Sequence, residues 1–250
     1  MTKQVQNSGE LKQRKVSLVI LNKNDIEGLK AIYPRIPVDL LYEIVVIDGK
    51  STDGTREFCD ENGIRIIVQE KLGRGEAFRI AASLVEGEYV IFLSSDGNEV
   101  PEDIPKFIQL LDEGNDIVIA SRLMNGSRNK EDGVFLPVRK WALQAFTATI
   151  NLLWRGNLTD VWNGYRAFNT EKFRELPTIA DGHLIELQQT IRALKRGYRI
   201  VEFPTIEERR VSGRTRNPLI KTGAGLISVL VKEVISGKEV KKMSSENMDG

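Results

Sequence analysis

The sequence predicts an α/β fold with a mostly parallel central sheet and helices on both faces. Three observations lead to this class. Apolar runs of strand length, rich in Val and Ile, recur through the first half of the chain. Helix-start signals separate these runs at short intervals. The runs are nearly continuous rather than alternating, which is typical of strands buried on both faces of a parallel sheet.

The first half of the chain alternates strand and helix signals. Five strands are predicted at residues 16–21, 43–48, 64–69, 89–93 and 116–121. The helices between them are predicted from Asp25 onward and over residues 54–63, 76–87 and 101–114. Ser, Thr and Asp precede the second helix as possible caps, and proline with acidic residues opens the fourth.

The second half of the chain is less regular. Residues 122–136 are polar and glycine-rich, which predicts a mobile loop. Helices are predicted over residues 137–155, 184–196 and 218–235, with an irregular or strand-like stretch at 158–168 and strand signals at 198–203 and 205–210. We expect a flexible segment at residues 1–15, one domain over 16–236 and a disordered charged tail at 237–250.

Composition excludes several classes of protein. The chain has 36 basic and 35 acidic residues, so its charge predicts no nucleic-acid partner. With one cysteine, Cys59, and one histidine, His183, an intramolecular disulfide is impossible and a Cys/His zinc site is not expected. No apolar run is long enough to span a bilayer, and no secretory signal is expected at the N-terminus. A reducing compartment is therefore predicted, with Cys59 packed as a small apolar residue.

Three acidic residues follow predicted strands. Asp48 ends the second strand, Asp96 lies just past the fourth, and Asp25 follows the first by a few residues. Ligands of parallel α/β sheets bind beyond the carboxyl ends of the strands, so these acids are expected to converge on one rim. Each alone could simply cap a helix or turn. Together they indicate a site for a divalent cation, or for donor groups such as ribose hydroxyls and base N–H.

Several segments resemble motifs of family 2 glycosyltransferases, which have the nucleotide-diphospho-sugar transferase (GT-A) fold. They are "LNKND" (21–25), "VVIDGKSTDGT" (45–55), "EKLGRGEAFRIAA" (70–82), "FLSSDGNEVPEDI" (92–104) and "DIVIASR" (116–122). Further along, "RKWALQA", "TDVWNGYRAF", "KRGYRIVEFP" and "ERRVSGRTR" occur in the order seen in dolichyl- or polyprenyl-phosphate sugar synthases. The resemblance covers about residues 16 to 218 and depends on ordered spacing rather than on one motif.

The resemblance implies a donor-binding half, residues 16–121, and an acceptor-binding half, residues 122–236. The residues that it assigns to the nucleotide sugar are Leu21, Lys23, Asn24, Asp25, Asp48, Lys50, Gly73, Gly75, Ser95 and Asp96. Four of these depart from the family pattern, because Leu21, Lys23, Asp25 and Lys50 replace proline, tyrosine, glutamate and serine. The two lysines could touch the donor phosphates or could simply be solvated.

The resemblance also implies a Mg²⁺ or Mn²⁺ cofactor. In the family, a D-x-D motif and a later amide or carboxylate hold the cation against the donor pyrophosphate. Here Ser94 replaces the first acid, so Asp96 and Asn98 are the expected metal ligands. A site with fewer charges should bind the cation more weakly and depend more on the substrate phosphates.

The expected acceptor is a phosphate monoester. The family's D-x-E pair falls on Glu186 and Gln188, and glutamine cannot act as a general base. A lipid phosphate is already anionic and needs cations and positioning rather than a base. The expected acceptor residues are Arg122, Arg139, Trp162, Arg210, Gly213, Thr215 and Arg216, and the expected catalytic residues are Asp96, Arg122 and Arg139. The basic run at 209–221 could also be a solvated face.

Three aromatic or titratable residues leave alternatives open. His183 is more typical of a helix start than of chemistry, and Trp141 and Trp154 could line a lipid groove or pack in the core. The last predicted helix could pack on the sheet or lie in a membrane interface.

The sequence thus predicts an inverting, metal-dependent glycosyltransferase that moves one sugar from a GDP- or UDP-linked donor to dolichyl or polyprenyl phosphate. The alternatives are a glycosyltransferase with a soluble phosphorylated acceptor and a non-catalytic nucleotide-sugar-binding protein. A lipid acceptor implies peripheral attachment to the cytoplasmic face of a membrane, directly or through a membrane partner subunit. Residues 122–136 and 209–217 are predicted to order over the bound substrates as lids.

Overall fold

The structure, a computed structural model, describes residues 14–129, 136–176, 178–211 and 225–236. The predictions for the N-terminal segment, apart from residues 14 and 15, and for the tail at 237–250 lie outside these ranges. The described strands are β1 (Val16–Asn22), β2 (Glu43–Asp48), β3 (Arg65–Val68), β4 (Tyr89–Ser94), β5 (Ile117–Ser121), β6 (Arg128–Asn129), β7 (Arg166–Asn169), β8 (Ile200–Pro204) and β9 (Ile206–Glu207).

Helices connect these strands much as the sequence predicts. They are α1 (Ile26–Ile32), α2 (Thr55–Glu61), α3 (Arg74–Leu84), α4 (Ile104–Asp112), α5 (Leu136–Trp154), α6 (Thr170–Arg174), α7 (Leu184–Lys195) and α8 (225–236). A short 3₁₀ turn, Pro101–Asp103, precedes α4 and carries the proline expected at a helix start.

Seven strands form one sheet in the order β3-β2-β1-β4-β7-β5-β8. All neighbouring pairs are parallel except those that involve β7, which is antiparallel to both β4 and β5. The mostly parallel sheet is therefore confirmed, and the stretch left open at residues 158–168 contributes an antiparallel central strand.

Helices cover both faces of the sheet, as predicted. On one face, Leu18 and Ile20 of β1 pack with side chains of α1, α2 and α4, among them the fully buried Cys59. On the other face, Val19 packs with side chains of α3, α6 and α7. Alternate residues of one strand thus enter two cores, which explains why every position from Leu18 to Leu21 is apolar.

A third apolar cluster joins α5, α7 and α8 beside the sheet. Its buried members on these helices are Ile150, Leu187, Ile191, Leu226 and Val229. No helix in the described ranges is long and apolar enough to cross a membrane.

The loop predicted at residues 122–136 is partly fixed. The Ser121 hydroxyl accepts hydrogen bonds from the backbone N–H groups of Leu123 and Met124, at 3.2 and 3.1 Å. Farther on, β6 pairs in parallel with β9. Backbone pairing with the 206–207 segment therefore holds residues 128–129, and the mobility predicted for this loop stays a prediction. Residues 130–135 lie outside the described ranges.

Candidate active site at the carboxyl edge of the sheet

The carboxyl ends of β1, β2 and β4 meet at one edge of the sheet. The register places Asn22 beside Asp48, and Leu21 beside Ser94. The loops that follow these three strands therefore begin side by side. Asp25, Asp48 and Asp96 lie on these loops or strand ends, as the sequence predicts.

Asp48 lies beneath this edge rather than on its surface. Its side chain is fully buried and accepts a hydrogen bond from the Ser51 backbone N–H at 3.0 Å. The Asn22 amide reaches the same group, with Nδ2 at 3.4 Å from Asp48 Oδ1, and also donates to Ser51 and Thr55. Asp48 thus fixes the loop from inside. Its contact with a donor nucleotide stays a prediction.

The loop after β1 carries the other predicted donor residues. Asn24 has a left-handed backbone, φ 50°, and its side-chain oxygen accepts from the Thr52 backbone N–H at 2.9 Å. Leu21 is half-buried, whereas Lys23 and Lys50 are exposed. Both lysines flank the edge and are accessible to a phosphate, so their predicted role remains open.

Asp25 and Asp96 face each other across the edge. Gly28 of α1 lies so close to the 95–96 backbone that a Cβ there would overlap the Ser95 carbonyl oxygen. The Ser95 hydroxyl donates to Asp25 Oδ2 at 3.3 Å. Burial, and then the negative charge of Asp96, raise the pKa of Asp25 to about 6. A cation bound here would relieve this repulsion.

Asn98 supplies an amide oxygen to the same turn. Gly97, with φ 80°, turns the chain, and the Asn98 backbone N–H donates to Asp96 Oδ1 at 3.3 Å. Asn98 is only 5% exposed, and within the described part of the chain its Oδ1 has no hydrogen-bond partner. A buried amide oxygen without a donor, next to a carboxylate, fits a hard divalent cation.

The protein ligands alone do not complete a metal site. Among the residues that the structure describes, no group of three or more His, Cys, Asp or Glu side chains could hold a metal ion. Asp96 and Asn98 would have to share the cation with oxygen atoms of a bound diphosphate, as expected for a site that lacks its first acid.

Glu99 is an acidic residue of this turn that the sequence prediction missed. Its Oε2 accepts from the Ser94 backbone N–H at 2.6 Å. Burial, and then the charge of Asp96, raise the pKa of Glu99 to about 7. The absence of an acid at position 94 was the signal that could have directed attention to the next acid along the chain.

A basic segment lies over the acidic turn. Arg210 Nη1 is 3.3 Å from Asp96 Oδ2. The backbone N–H groups of Val211 and Glu208 donate to the carbonyl oxygens of Asp96 and Asn98, at 2.9 and 2.8 Å. One predicted acceptor residue, Arg210, therefore meets the predicted metal ligands directly. Gly213, Thr215 and Arg216 lie outside the described residues.

The Arg122 guanidinium is paired with carboxylates of the protein. Its Nε and Nη2 donate to Asp160 Oδ2 and Oδ1, at 2.7 and 3.0 Å, and this pairing holds the pKa of Asp160 below its ordinary value despite burial. Its Nη1 is 4.0 Å from Glu207 Oε1, which also accepts from Asn98 Nδ2 at 3.1 Å. Asp160 is a partner that the sequence prediction missed. Arg139 lies in α5, and its side chain is outside the described part.

The loop before α3 brings a second buried ion pair to the site. Arg74 Nε donates to Glu186 Oε1, and the Arg74 charge helps to hold the pKa of Glu186 below its ordinary value despite burial. Gly73, with φ 151°, opens the helix, and a Cβ on Gly75 would overlap the Ala180 carbonyl oxygen. These contacts explain both glycines by local geometry. The role of Arg74 was not predicted.

Gln188 has a bridging position. Its Oε1 accepts from the backbone N–H groups of Ile179 and Ala180, both at 2.9 Å, and its Nε2 donates to Glu233 Oε1 at 3.0 Å. The amide thus connects α8 to the loop beside Gly75. A carboxylate here would have lost the hydrogen bond to Glu233.

The tryptophans and His183 differ in their contacts and in their exposure to solvent. The Trp162 indole N–H donates to the His183 carbonyl oxygen, and Trp154 packs on the third apolar cluster. His183 is exposed and occupies the N-cap position of α7 without a side-chain capping bond. Trp141 is 69% exposed, so core packing, one of the two alternatives for this residue, is wrong.

Comparison with known proteins gives one family. The sequence profile of "Glycosyl transferase family 2" matches residues 27–177. Glycosyltransferase AglJ of Haloferax volcanii is 31% identical over 175 residues, which are 70% of this chain and 56% of AglJ. A dolichyl-phosphate hexose transferase of the same organism is 28% identical over 190 residues, which are 76% of this chain and 80% of that protein.

Solved structures share the fold. The glucosyl-3-phosphoglycerate synthase of Mycobacterium tuberculosis, solved with Mn²⁺, uridine diphosphate and glucosyl-3-phosphoglycerate, superposes with a TM-score of 0.67. The match has 24% sequence identity and covers 90% of this chain and 80% of that one. A second structure of that enzyme, with Mn²⁺, UDP-glucose and phosphoglyceric acid, gives a TM-score of 0.67 at 23% identity, and covers 90% of this chain and 79% of that one.

Proposed function

The chain belongs to glycosyl transferase family 2 and is a nucleotide-sugar glycosyltransferase, and from this premise we propose that its acceptor is dolichyl or polyprenyl phosphate. The observation that carries the proposal is the contact of Asp96 with Arg210, at 3.3 Å. It joins the acidic turn of the donor half to the basic segment of the acceptor half. A cation at this junction suits a phosphate that approaches the donor sugar.

The D-x-E positions support an acceptor that needs no base. Glu186 is paired with Arg74, and Gln188 is engaged with backbone N–H groups and Glu233. Neither side chain is placed as a general base for a sugar hydroxyl. A phosphate monoester is anionic at neutral pH and can attack without losing a proton. One relative, a dolichyl-phosphate hexose transferase, is named for such an acceptor.

The proposed reaction is a single inverting displacement. An acceptor phosphate oxygen forms a bond to the anomeric carbon while the bond from that carbon to the donor diphosphate breaks on the opposite face. Asp96 and Asn98 would hold Mg²⁺ or Mn²⁺, which when bound neutralises charge on the diphosphate. Arg210 orients the acceptor phosphate beside this group, and the segment that carries it excludes water.

A soluble phosphorylated acceptor is the second candidate. Two structural neighbours are structures of a glucosyl-3-phosphoglycerate synthase, one of them solved with phosphoglyceric acid, and the same basic segment would suit that phosphate. The third candidate is a non-catalytic protein that binds nucleotide sugars, because Ser94 replaces the first acid of the metal motif.

A lipid acceptor requires contact with a membrane surface. Leu152 of α5 is 83% exposed, and Ile227, Val231 and Ile235 of α8 are exposed at spacings of four residues. The three α8 positions form an apolar stripe, which suits an interface helix on the cytoplasmic face of a membrane or contact with a membrane partner subunit.

One experiment separates the three candidates. The protein is incubated with Mn²⁺, labelled UDP- or GDP-sugars, and either polyprenyl phosphate or 3-phosphoglycerate, followed by organic extraction. Label in the organic phase supports the lipid acceptor. Label in a new aqueous product supports the soluble acceptor and contradicts the proposal. Donor binding by calorimetry without turnover supports the non-catalytic candidate.

A further inference from the structure

We propose that Glu99 supplies the second carboxylate of the metal–diphosphate site. It would replace the acid that the family motif has at the position of Ser94. The inference rests on the proposed metal-dependent transfer and names a residue of that same site. It differs from the sequence prediction, in which Asp96 and Asn98 were the only protein ligands.

The backbone brings Glu99 back to the end of β4. Ser94 is the last residue of β4, and Gly97, at φ 80°, reverses the chain after it. Glu99 Oε2 then accepts from the Ser94 backbone N–H at 2.6 Å. A carboxylate therefore lies against the backbone of the position where the family motif carries its first aspartate.

Charges of both signs surround Glu99. Asp96 and Glu207 are acidic groups that act on it, and Arg74 and Arg122 are basic ones. Arg74 already pairs with Glu186, and Arg122 with Asp160. Asp96 and Glu99 are thus two half-buried carboxylates close to each other, with Arg210 3.3 Å from Asp96, and a bound divalent cation would reduce the repulsion between the two carboxylates.

Asn98 gives an independent sign of a ligand. It lies between the two acids in sequence, and in the described ranges its buried Oδ1 accepts no hydrogen bond. A purely structural turn would leave no reason for an orphan amide oxygen beside two carboxylates. Two carboxylates and one amide oxygen form a donor set for Mg²⁺ or Mn²⁺ that diphosphate oxygens can complete.

A structural role for Glu99 is distinguished by Glu99→Gln. Glutamine keeps an oxygen that can accept from the Ser94 backbone N–H, so the turn should persist, but it removes the charge. Glu102→Gln is the matched control, because Glu102 is an exposed acid of the next turn and pairs with Arg35. Ser94→Asp restores the family's acid and gives the rescue variant.

The test is Mn²⁺ affinity, measured by electron paramagnetic resonance in the presence of uridine diphosphate or guanosine diphosphate. Glu99→Gln should weaken Mn²⁺ binding at least tenfold, Glu102→Gln should leave it unchanged, and Ser94→Asp in the Glu99→Gln background should restore most of it. Unchanged affinity in Glu99→Gln would overturn the proposal, as would failure of Ser94→Asp to restore binding or a wild-type protein that binds no Mn²⁺.

This readout is independent of the acceptor. If the lipid acceptor is wrong, wild-type protein transfers no label to polyprenyl phosphate, yet the ranking of Mn²⁺ affinities among the variants still holds. If the lipid acceptor is right but Glu99 is not a ligand, lipid product forms while the Mn²⁺ affinity of Glu99→Gln equals that of the wild type. Circular dichroism of the wild type and the three variants verifies that the fold is intact.

Discussion

At the scale of one residue, the surroundings of Asp25 lower the stability of the folded protein when this carboxyl is ionised. Burial and the charge of Asp96 raise its pKa to about 6, above the ordinary value for aspartate. The folded state therefore binds this proton more tightly than the unfolded state. Stability from this group is present at low pH and is lost as pH rises through about 4 to 6.

Asp25→Asn should therefore stabilise the protein above pH 6. The expected gain is on the order of 1 kcal/mol, because the carboxyl is half-buried and solvent screening reduces the effect. Urea unfolding of wild type and variant at pH 7.5 and pH 4.5 is the measurement. The gain should shrink at the lower pH; an equal gain at both values would show that the negative charge of Asp25 is not its cause.

For single residues, the sequence predicted the positions of candidate site residues better than it predicted their ion-pair partners. Asp25, Asp96 and Asn98 could be found because each follows an apolar run. The pairing of Arg122 with Asp160, and of Arg74 with Glu186, joins residues 38 and 112 positions apart. Such pairs depend on how β7 and α7 pack, which local patterns do not encode.

At the scale of elements, Gln188 joins α7 to α8 and to the loop at 178–182. Gln188→Glu would keep the hydrogen bonds from Ile179 and Ala180 but would place a second carboxylate against buried Glu233. We expect a loss on the order of 2 kcal/mol in the free energy of unfolding. Adding Glu233→Gln should recover part of this loss by restoring a donor. Additive losses in the double variant would contradict the coupling.

The strand β6 lies in one predicted lid segment, residues 122–136, and pairs with β9, which directly precedes the other, residues 209–217. Residues 206–211 also bond to the Asp96 and Asn98 carbonyl oxygens. We therefore expect residues 122–129 and 205–211 to gain protection from hydrogen exchange together when Mn²⁺ and a donor analogue bind. Protection that is strong in both segments before ligand, and unchanged after it, would make them structural rather than lids.

Elements with long apolar runs were predictable, and short or paired ones were not. The strands β1, β2, β4 and β5 and the helices α3, α4 and α7 follow directly from continuous or periodic apolar residues. β7 is four residues long and enters the sheet antiparallel, and β6 and β9 have two residues each. These elements owe their conformation to neighbours that are distant in sequence.

At the scale of the whole molecule, the sheet joins the edge proposed to bind the donor to a cluster of helices proposed to lie on the acceptor side. Two cores fix β1 and β4 from both faces, so the acidic turn after β4 rests on the most buried part of the protein. The third cluster holds α5, α7 and α8 beside that edge, with apolar side chains exposed on α5 and α8. The proposed reaction requires both parts at one junction, where Asp96 meets Arg210.

The proposed metal-dependent transfer is tested by comparing the wild type with Asp96→Asn in sugar transfer to polyprenyl phosphate. With labelled donor, the wild type should place label in the organic phase only when Mg²⁺ or Mn²⁺ is present. Asp96→Asn should lower that rate at least a hundredfold, because it removes the strongest charge on the cation while keeping the shape of the turn. Equal lipid product from both proteins, with or without divalent metal, would contradict a metal-dependent transfer that requires Asp96.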